Sequence, residues 1–184
     1  MRLDLGRLQL AAQTLAVAAV GVLAGVLLWK LTHQPPPPRV GQRAPAFSLQ
    51  RLNGSGTISL ASLRGKTVVL NFFASWCEPC KREAPALEQV WRDYRSRGVV
   101  VLGVDSGDAV GDARRFMSAH GVTYPVVVDQ NESLAKGPYA LLGFPTTYVI
   151  NRAGRIVGGR VSGPVSDAGY STTFHQDLAA ALKS

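Results

Sequence analysis

The sequence predicts an α/β domain, a central mixed sheet flanked by helices with an N-terminal strand extension, carried behind one transmembrane helix. Three observations predict it. Two near-continuous β-branched and aromatic runs, Thr67–Ala74 and Val99–Asp105, have the composition of strands buried on both faces. The segments between strands switch to three- and four-residue apolar spacing, so strands alternate with helices and the sheet is expected to be covered on both faces, with a terminal antiparallel hairpin. Before all of this, no charged residue occurs from Leu8 to Trp29. At the helical rise, that run spans roughly 33 Å, about the thickness of a bilayer's hydrocarbon core.

Taken in order, residues 1–7 form a short tail expected to stay cytoplasmic, since Arg2 and Arg7 face only Asp4 as a counter-charge. Residues 8–29 are the transmembrane anchor. The run is longer than a signal-peptide core, and its exit, LLWKLTHQ, has no small-x-small cleavage site. Residues 30–39 form a Pro-rich linker, in which QPPPPR (Gln34–Arg39) favours polyproline II and a semi-rigid spacer. The folded domain is expected over 40–184. Within it, Thr57–Leu63 reads as a short edge strand and Thr67–Ala74 as the central strand. From Pro79, Ala84, Leu87, Trp91 and Tyr94 make one apolar helical face that ends by Gly98, and Pro85 should kink that helix. Then follow the strand Val99–Asp105, a helix over Asp112–Gly121, a strand over Tyr124–Asp129 and a helical piece around Leu134. Two strands joined by a turn at Asn151–Gly154 and a helix from about Thr172 to Leu182 complete the domain.

The formal charge of +8 invites a nucleic-acid reading, but its distribution argues against one. Of 20 Lys and Arg and 12 Asp and Glu, four basic residues and one acidic residue precede Val40, which leaves +5 on the domain. The basic residues are spread along the chain without a cluster interleaved with aromatics. The expected macromolecular partners are therefore client proteins and the membrane, with no nucleic acid.

The chemistry concentrates at FFASWCEPCKREAP (Phe72–Pro85), where the only two cysteines, Cys77 and Cys80, stand at a strand-to-helix junction. A helix starting near Cys77 aims free N–H groups and the positive end of its dipole at that sulfur, which favours the thiolate and makes Cys77 the candidate nucleophile. Cys80, one turn deeper on the same face, is placed to resolve a mixed disulfide. Zinc would need further ligands, and His33, His120 and His175 show no paired spacing. Haem attachment would need histidine where Lys81 stands. A bridge of purely structural purpose would constrain little of the unfolded chain. Copper(I) needs only two soft ligands, so a copper(I) carrier stays open as the non-enzymatic alternative.

In these residues and their surroundings the chain resembles the thioredoxin fold and, more narrowly, the membrane-anchored thioredoxin-like proteins of the TlpA and ResA type. The resemblance covers about Val40–Leu182 and rests on VGQRAPAFSL, GKTVVLNFFASWCEPCKREAP, YPVVVD and GFPTTYVI in that order. It implies a membrane-tethered thiol-disulfide oxidoreductase, single-pass in the bacterial cytoplasmic membrane with its catalytic domain on the extracytoplasmic side. Such a protein reduces selected client disulfides, such as those of apocytochrome c or copper-site cysteines, and draws on a membrane thiol electron donor. No cofactor is expected beyond a redox-active Cys77–Cys80 disulfide, and no metal. A disulfide-donating oxidase is the alternative that shares the layout. A peroxidase would carry Pro-x-x-x-Thr-x-x-Cys, which is absent around either cysteine.

By the same resemblance, Pro145 matches the family's cis-proline beside the active disulfide, which would let the Phe144 backbone pair with an extended client segment. Trp76 matches the aromatic flanking the nucleophile, and Glu78 and Pro79 match the residues between the cysteines. Proline suits the first helical turn, where no N–H is needed. Where thioredoxin has a buried aspartate, this chain has Asn71, which cannot act as a base. Glu83, three residues beyond Cys80 and matching the ResA-like glutamate, is the expected proton acceptor for Cys80.

Overall fold

A computed structural model describes residues 5–32 and 36–184. It divides into two compact units at Pro36. The first is one helix, α1 (Leu5–Thr32), within which Gln9–Lys30 is long and apolar enough to cross a membrane, with a mean hydropathy of 2.1 over its most apolar window. The helix extends beyond the 8–29 span at both ends. Arg2, Asp4 and His33 lie outside the described residues, so the charge argument for sidedness has no structural counterpart.

The second unit is built on a five-stranded sheet in the order β5-β4-β3-β6-β7. Its centre is β3 (Thr67–Phe73), every residue of which is buried, as a run without alternation requires. On one side β3 pairs in parallel with β4 (Val99–Ser106), which pairs in parallel with β5 (Val126–Asp129). On the other it pairs antiparallel with β6 (Thr146–Ile150), which turns back as β7 (Ile156–Val161). Three helices supply one apolar layer against the sheet: α2 (Glu78–Tyr94), α3 (Val110–Ala119) and α5 (Ala168–Lys183). There Val69, Phe73, Val99 and Val101 meet Leu87, Phe116, Phe174 and Leu178.

The opposite layer departs from the expected helical cover. Val68, Leu70, Phe72, Val100 and Leu102 pack against Ile58, Leu60, Tyr139 and Tyr148. Much of this cover comes from β1 (Ser48–Gln50) paired antiparallel with β2 (Thr57–Ser59), and from the short α4 (Ser133–Lys136) with the loop after it. The run Thr57–Leu63 is therefore only half strand. After Ser59 it becomes a 3-10 turn, Leu60–Leu63, which the Ser59 hydroxyl caps by accepting the Ser62 N–H at 3.1 Å. Serine at that position offers the backbone a cap in place of a strand partner. In α2 the helix continues through Pro85, which is exposed.

Candidate active site

The β3 strand ends at Phe73, and four residues later Cys77 is the N-cap of α2. Its sulfur accepts the backbone N–H of Cys80 at 3.2 Å, so one of the orphan donors of the first helical turn is spent on the nucleophile candidate. Pro79 stands in that first turn, where its missing N–H costs nothing. Cys77 and Cys80 are joined as a disulfide with Cα atoms 5.3 Å apart, and both are buried. Glu78 projects into solvent and forms an ion pair with Lys81. The Lys81 contact, through its hydrogen bond and its charge, holds the Glu78 carboxyl below the usual carboxylate range. Its negative charge beside the sulfur is thus partly offset by a neighbour.

Glu83 is 1% exposed, so it is no surface carboxylate paired with a lysine or arginine. One oxygen accepts the Asn71 side-chain N–H at 2.7 Å, and the other accepts the Val165 backbone N–H at 3.0 Å. Asn71 uses its second N–H on the Thr147 hydroxyl at 3.0 Å, directly across the β3–β6 pairing. Burial pushes the Glu83 carboxyl up to about 7, against the opposing pull of Val165 and Asn71. A group titrating near neutrality suits proton exchange with a thiol. The residue that cannot itself be a base therefore holds the one that can, a role that reading Asn71 only as a departure from thioredoxin misses.

Phe144–Pro145 is a cis peptide bond, and Pro145 is buried immediately before β6. Since Thr146 pairs with Phe72, this segment flanks the end of β3 from which the cysteine loop departs. Phe144 packs against the core cluster that contains both cysteines, and its ring stands edge-on to Trp76 with centroids 6.1 Å apart. Trp76 is 66% exposed and Leu142 is 92% exposed. Together with Ala135, Leu141, Gly143 and Phe144, and with the charged Glu132 and Lys136, they line a cleft of about 300 Å³. The fold thus brings Trp76, Cys77, Cys80, Glu83, Phe144 and Pro145 to one end of the sheet, with Glu78 and Pro79 on the first turn of α2.

Two acids here had no sequence signal. Asp105, in register with Phe73 at the end of β4, is fully buried, and Asp108 accepts the backbone N–H of Ser75 in a short hydrogen bond. Long-range pairings of this kind leave no spacing pattern.

The AhpC/TSA family model matches residues 40–158. Among curated proteins, thiol-disulfide oxidoreductase ResA of Bacillus subtilis is 38% identical over 64% of this chain and 64% of its own length, so the match takes in under two thirds of that relative. ResA of Bacillus thuringiensis is 31% identical over 65% of this chain and 68% of its own. Among solved structures, a thiol:disulfide interchange protein of the thioredoxin family from Chlorobium tepidum superposes with a TM-score of 0.64 at 30% identity, covering 80% of this chain and 99% of that one. A secreted Mycobacterium tuberculosis disulfide oxidoreductase homologous to Escherichia coli DsbE gives 0.61 at 25% identity, with 73% and 95% covered.

Proposed function

Because this chain belongs to the AhpC/TSA family and to the ResA-like proteins of thioredoxin fold, we propose that it is a membrane-tethered thiol-disulfide oxidoreductase that reduces disulfides of selected client proteins. The observation that carries this is the Cys77–Cys80 disulfide at the N-cap of α2, with the Cys80 N–H on the Cys77 sulfur. In the reduced protein, the same N–H and the helix dipole favour a thiolate on Cys77. That thiolate attacks one sulfur of a client disulfide, the client's other sulfur leaves as thiolate, and a mixed disulfide forms. Cys80 then gives its proton to Glu83 and attacks the Cys77 sulfur. The client leaves as a dithiol, and the Cys77–Cys80 disulfide is regenerated.

Each turnover consumes two electrons, and a thiol donor in the membrane is the class of partner that returns them. Clients are extracytoplasmic cysteine pairs such as those of apocytochrome c or of copper sites. The apolar helix Gln9–Lys30 supports tethering, and the secreted relative supports an extracytoplasmic catalytic domain. The cleft between Trp76 and Phe144 is the surface on which an extended client segment would lie.

The test is a pair of variants of the full chain in membranes. Cys77→Ser abolishes disulfide exchange, and Cys80→Ser accumulates a mixed disulfide through Cys77 that releases on added thiol. Turnover that survives Cys77→Ser contradicts the reading, and tight copper(I) binding with no exchange moves the assignment to a metal carrier.

A further inference from the structure

Asp105 and Asp108 stand outside the exchange chemistry, and the surroundings of Asp105 are unusual. No N–H or O–H donor among the described residues reaches either of its carboxylate oxygens, although it is fully buried. An ionised carboxylate in that position would have neither water nor a partner to stabilise it. After burial, the strongest influence on it comes from a second carboxyl three residues on, Asp108. Two facing carboxylates cannot hydrogen-bond unless one of them carries a proton. Asp108 in turn accepts the backbone N–H of Ser75, two residues before the nucleophile.

We propose that Asp105 and Asp108 form a proton-sharing carboxyl pair that positions the loop Ala74–Trp76, and with it Cys77, for disulfide exchange. With its proton in place, Asp105 donates to Asp108, and the negative charge of Asp108 stays directed at the Ser75 N–H. When Asp105 loses that proton to solvent, two negative charges face each other inside the domain, and the hold on Ser75 weakens. The groups facing Asp105 set where this happens. Besides Asp108 they are Asp112 in the first turn of α3 and Asp129 at the end of β5, the latter held by the Ser133 hydroxyl and the N–H groups of Leu134 and Ala135. Burial first, then Asp108 and the more distant Asp112 and Asp129, push the Asp105 carboxyl up to about 8. Both residues act through the loop and are positioning residues, and no step of the exchange passes through either.

The inference rests on the dithiol-exchange reading for its consequence, but its first test does not use activity. In the 15N-labelled full chain in detergent micelles, with the disulfide formed, the Ser75 amide resonance is followed from pH 6 to 10. The expected result is a step with a midpoint of about 8. Asp105→Asn supplies a permanent donor to Asp108 and removes the step, whereas Asp112→Asn keeps it at slightly lower pH. A Ser75 resonance that does not titrate in the unaltered protein, or a step that survives Asp105→Asn, overturns the pair.

The second test is the exchange rate with a peptide disulfide at pH 7. Asp108→Ala should be slower by about tenfold, the order of one lost charge-assisted hydrogen bond, while Asp108→Asn keeps an acceptor oxygen and recovers most of the rate. An Asp108→Ala rate equal to that of the unaltered chain overturns the positioning role. If the amide titrates as expected but no variant or unaltered chain exchanges disulfides, the pair stands and the proposed function fails.

Discussion

Glu83 is a carboxylic acid held where water does not reach, and its two anchors make it useful there. Asn71 and the Val165 N–H stabilise the ionised form while burial opposes it, and the balance falls at about 7. In the proposed exchange, the proton of Cys80 moves to this carboxyl, which titrates near neutrality. Glu83→Gln keeps the shape and a carbonyl acceptor but cannot take that proton. The expected outcome is release of the mixed disulfide slowed by about a hundredfold near pH 7, with the inflection near neutrality gone from the pH–rate profile. Stopped-flow release of a labelled client peptide across pH 5–9 checks it, and an unchanged profile would remove Glu83 from the mechanism. That Glu83 shares α2 with Cys80, three residues on, is legible from helical spacing. The Asn71–Glu83 and Ser75–Asp108 contacts join residues 12 and 33 positions apart through the fold, and no local pattern encodes them.

Between elements, the contact of β7 with α5 depends on a glycine. Gly158 has a φ of +70°, and a Cβ built there would fall 1.9 Å from the Asp177 carboxylate. Gly158→Ala should therefore cost at least the ~1–2 kcal/mol of a left-handed backbone at a residue with a Cβ, plus the displacement of Asp177. In an Asp177→Ala background only the backbone part should remain. Denaturant unfolding of the two single variants and the double variant checks this, and equal costs of Gly158→Ala in both backgrounds would contradict it. Most elements were legible at this scale: α2, β4 and the β6–β7 hairpin begin and end within a few residues of where apolar period and turn chemistry place them. The exception is Thr57–Leu63, where weak alternation suits both a strand and a turn, and the Ser59 cap decides after three residues. The β1–β2 pair as the cover of one sheet face was not legible either, since three-residue strands carry too little period to be seen.

Across the whole molecule, two buried acids with raised affinity for protons tie stability to pH. Folded values of about 7 for Glu83 and about 8 for Asp105 lie above those of an unfolded chain, so the folded state binds more protons between roughly pH 4 and 8. Their contribution is complete below the ordinary carboxylate range and is lost as pH rises through 7 to 8. Glu88 works at the opposite end. Burial would raise its carboxyl, but its hydrogen bonds to Thr123 and its contact with Arg92 hold it lower, so its contribution is lost in acid. The denaturation midpoint of the full chain should therefore be greatest on the acid side of neutrality and fall from pH 6 to pH 9, and a midpoint that rises over that interval would contradict the assignment. The fold as a whole was legible because strand composition, the strand-to-helix position of the cysteines and the terminal hairpin agree with one architecture. The direction of electron flow is a property of the complete site, set by how far the Cys77 thiolate is stabilised against the disulfide. The central claim, that the site donates electrons to clients, is tested most directly by the reduction potential of the Cys77–Cys80 pair, measured on the full chain in detergent by equilibration with thiol buffers of fixed ratio. A potential near that of thioredoxin, about −270 mV, is the predicted result, and one near the about −120 mV of a strong disulfide donor would contradict it.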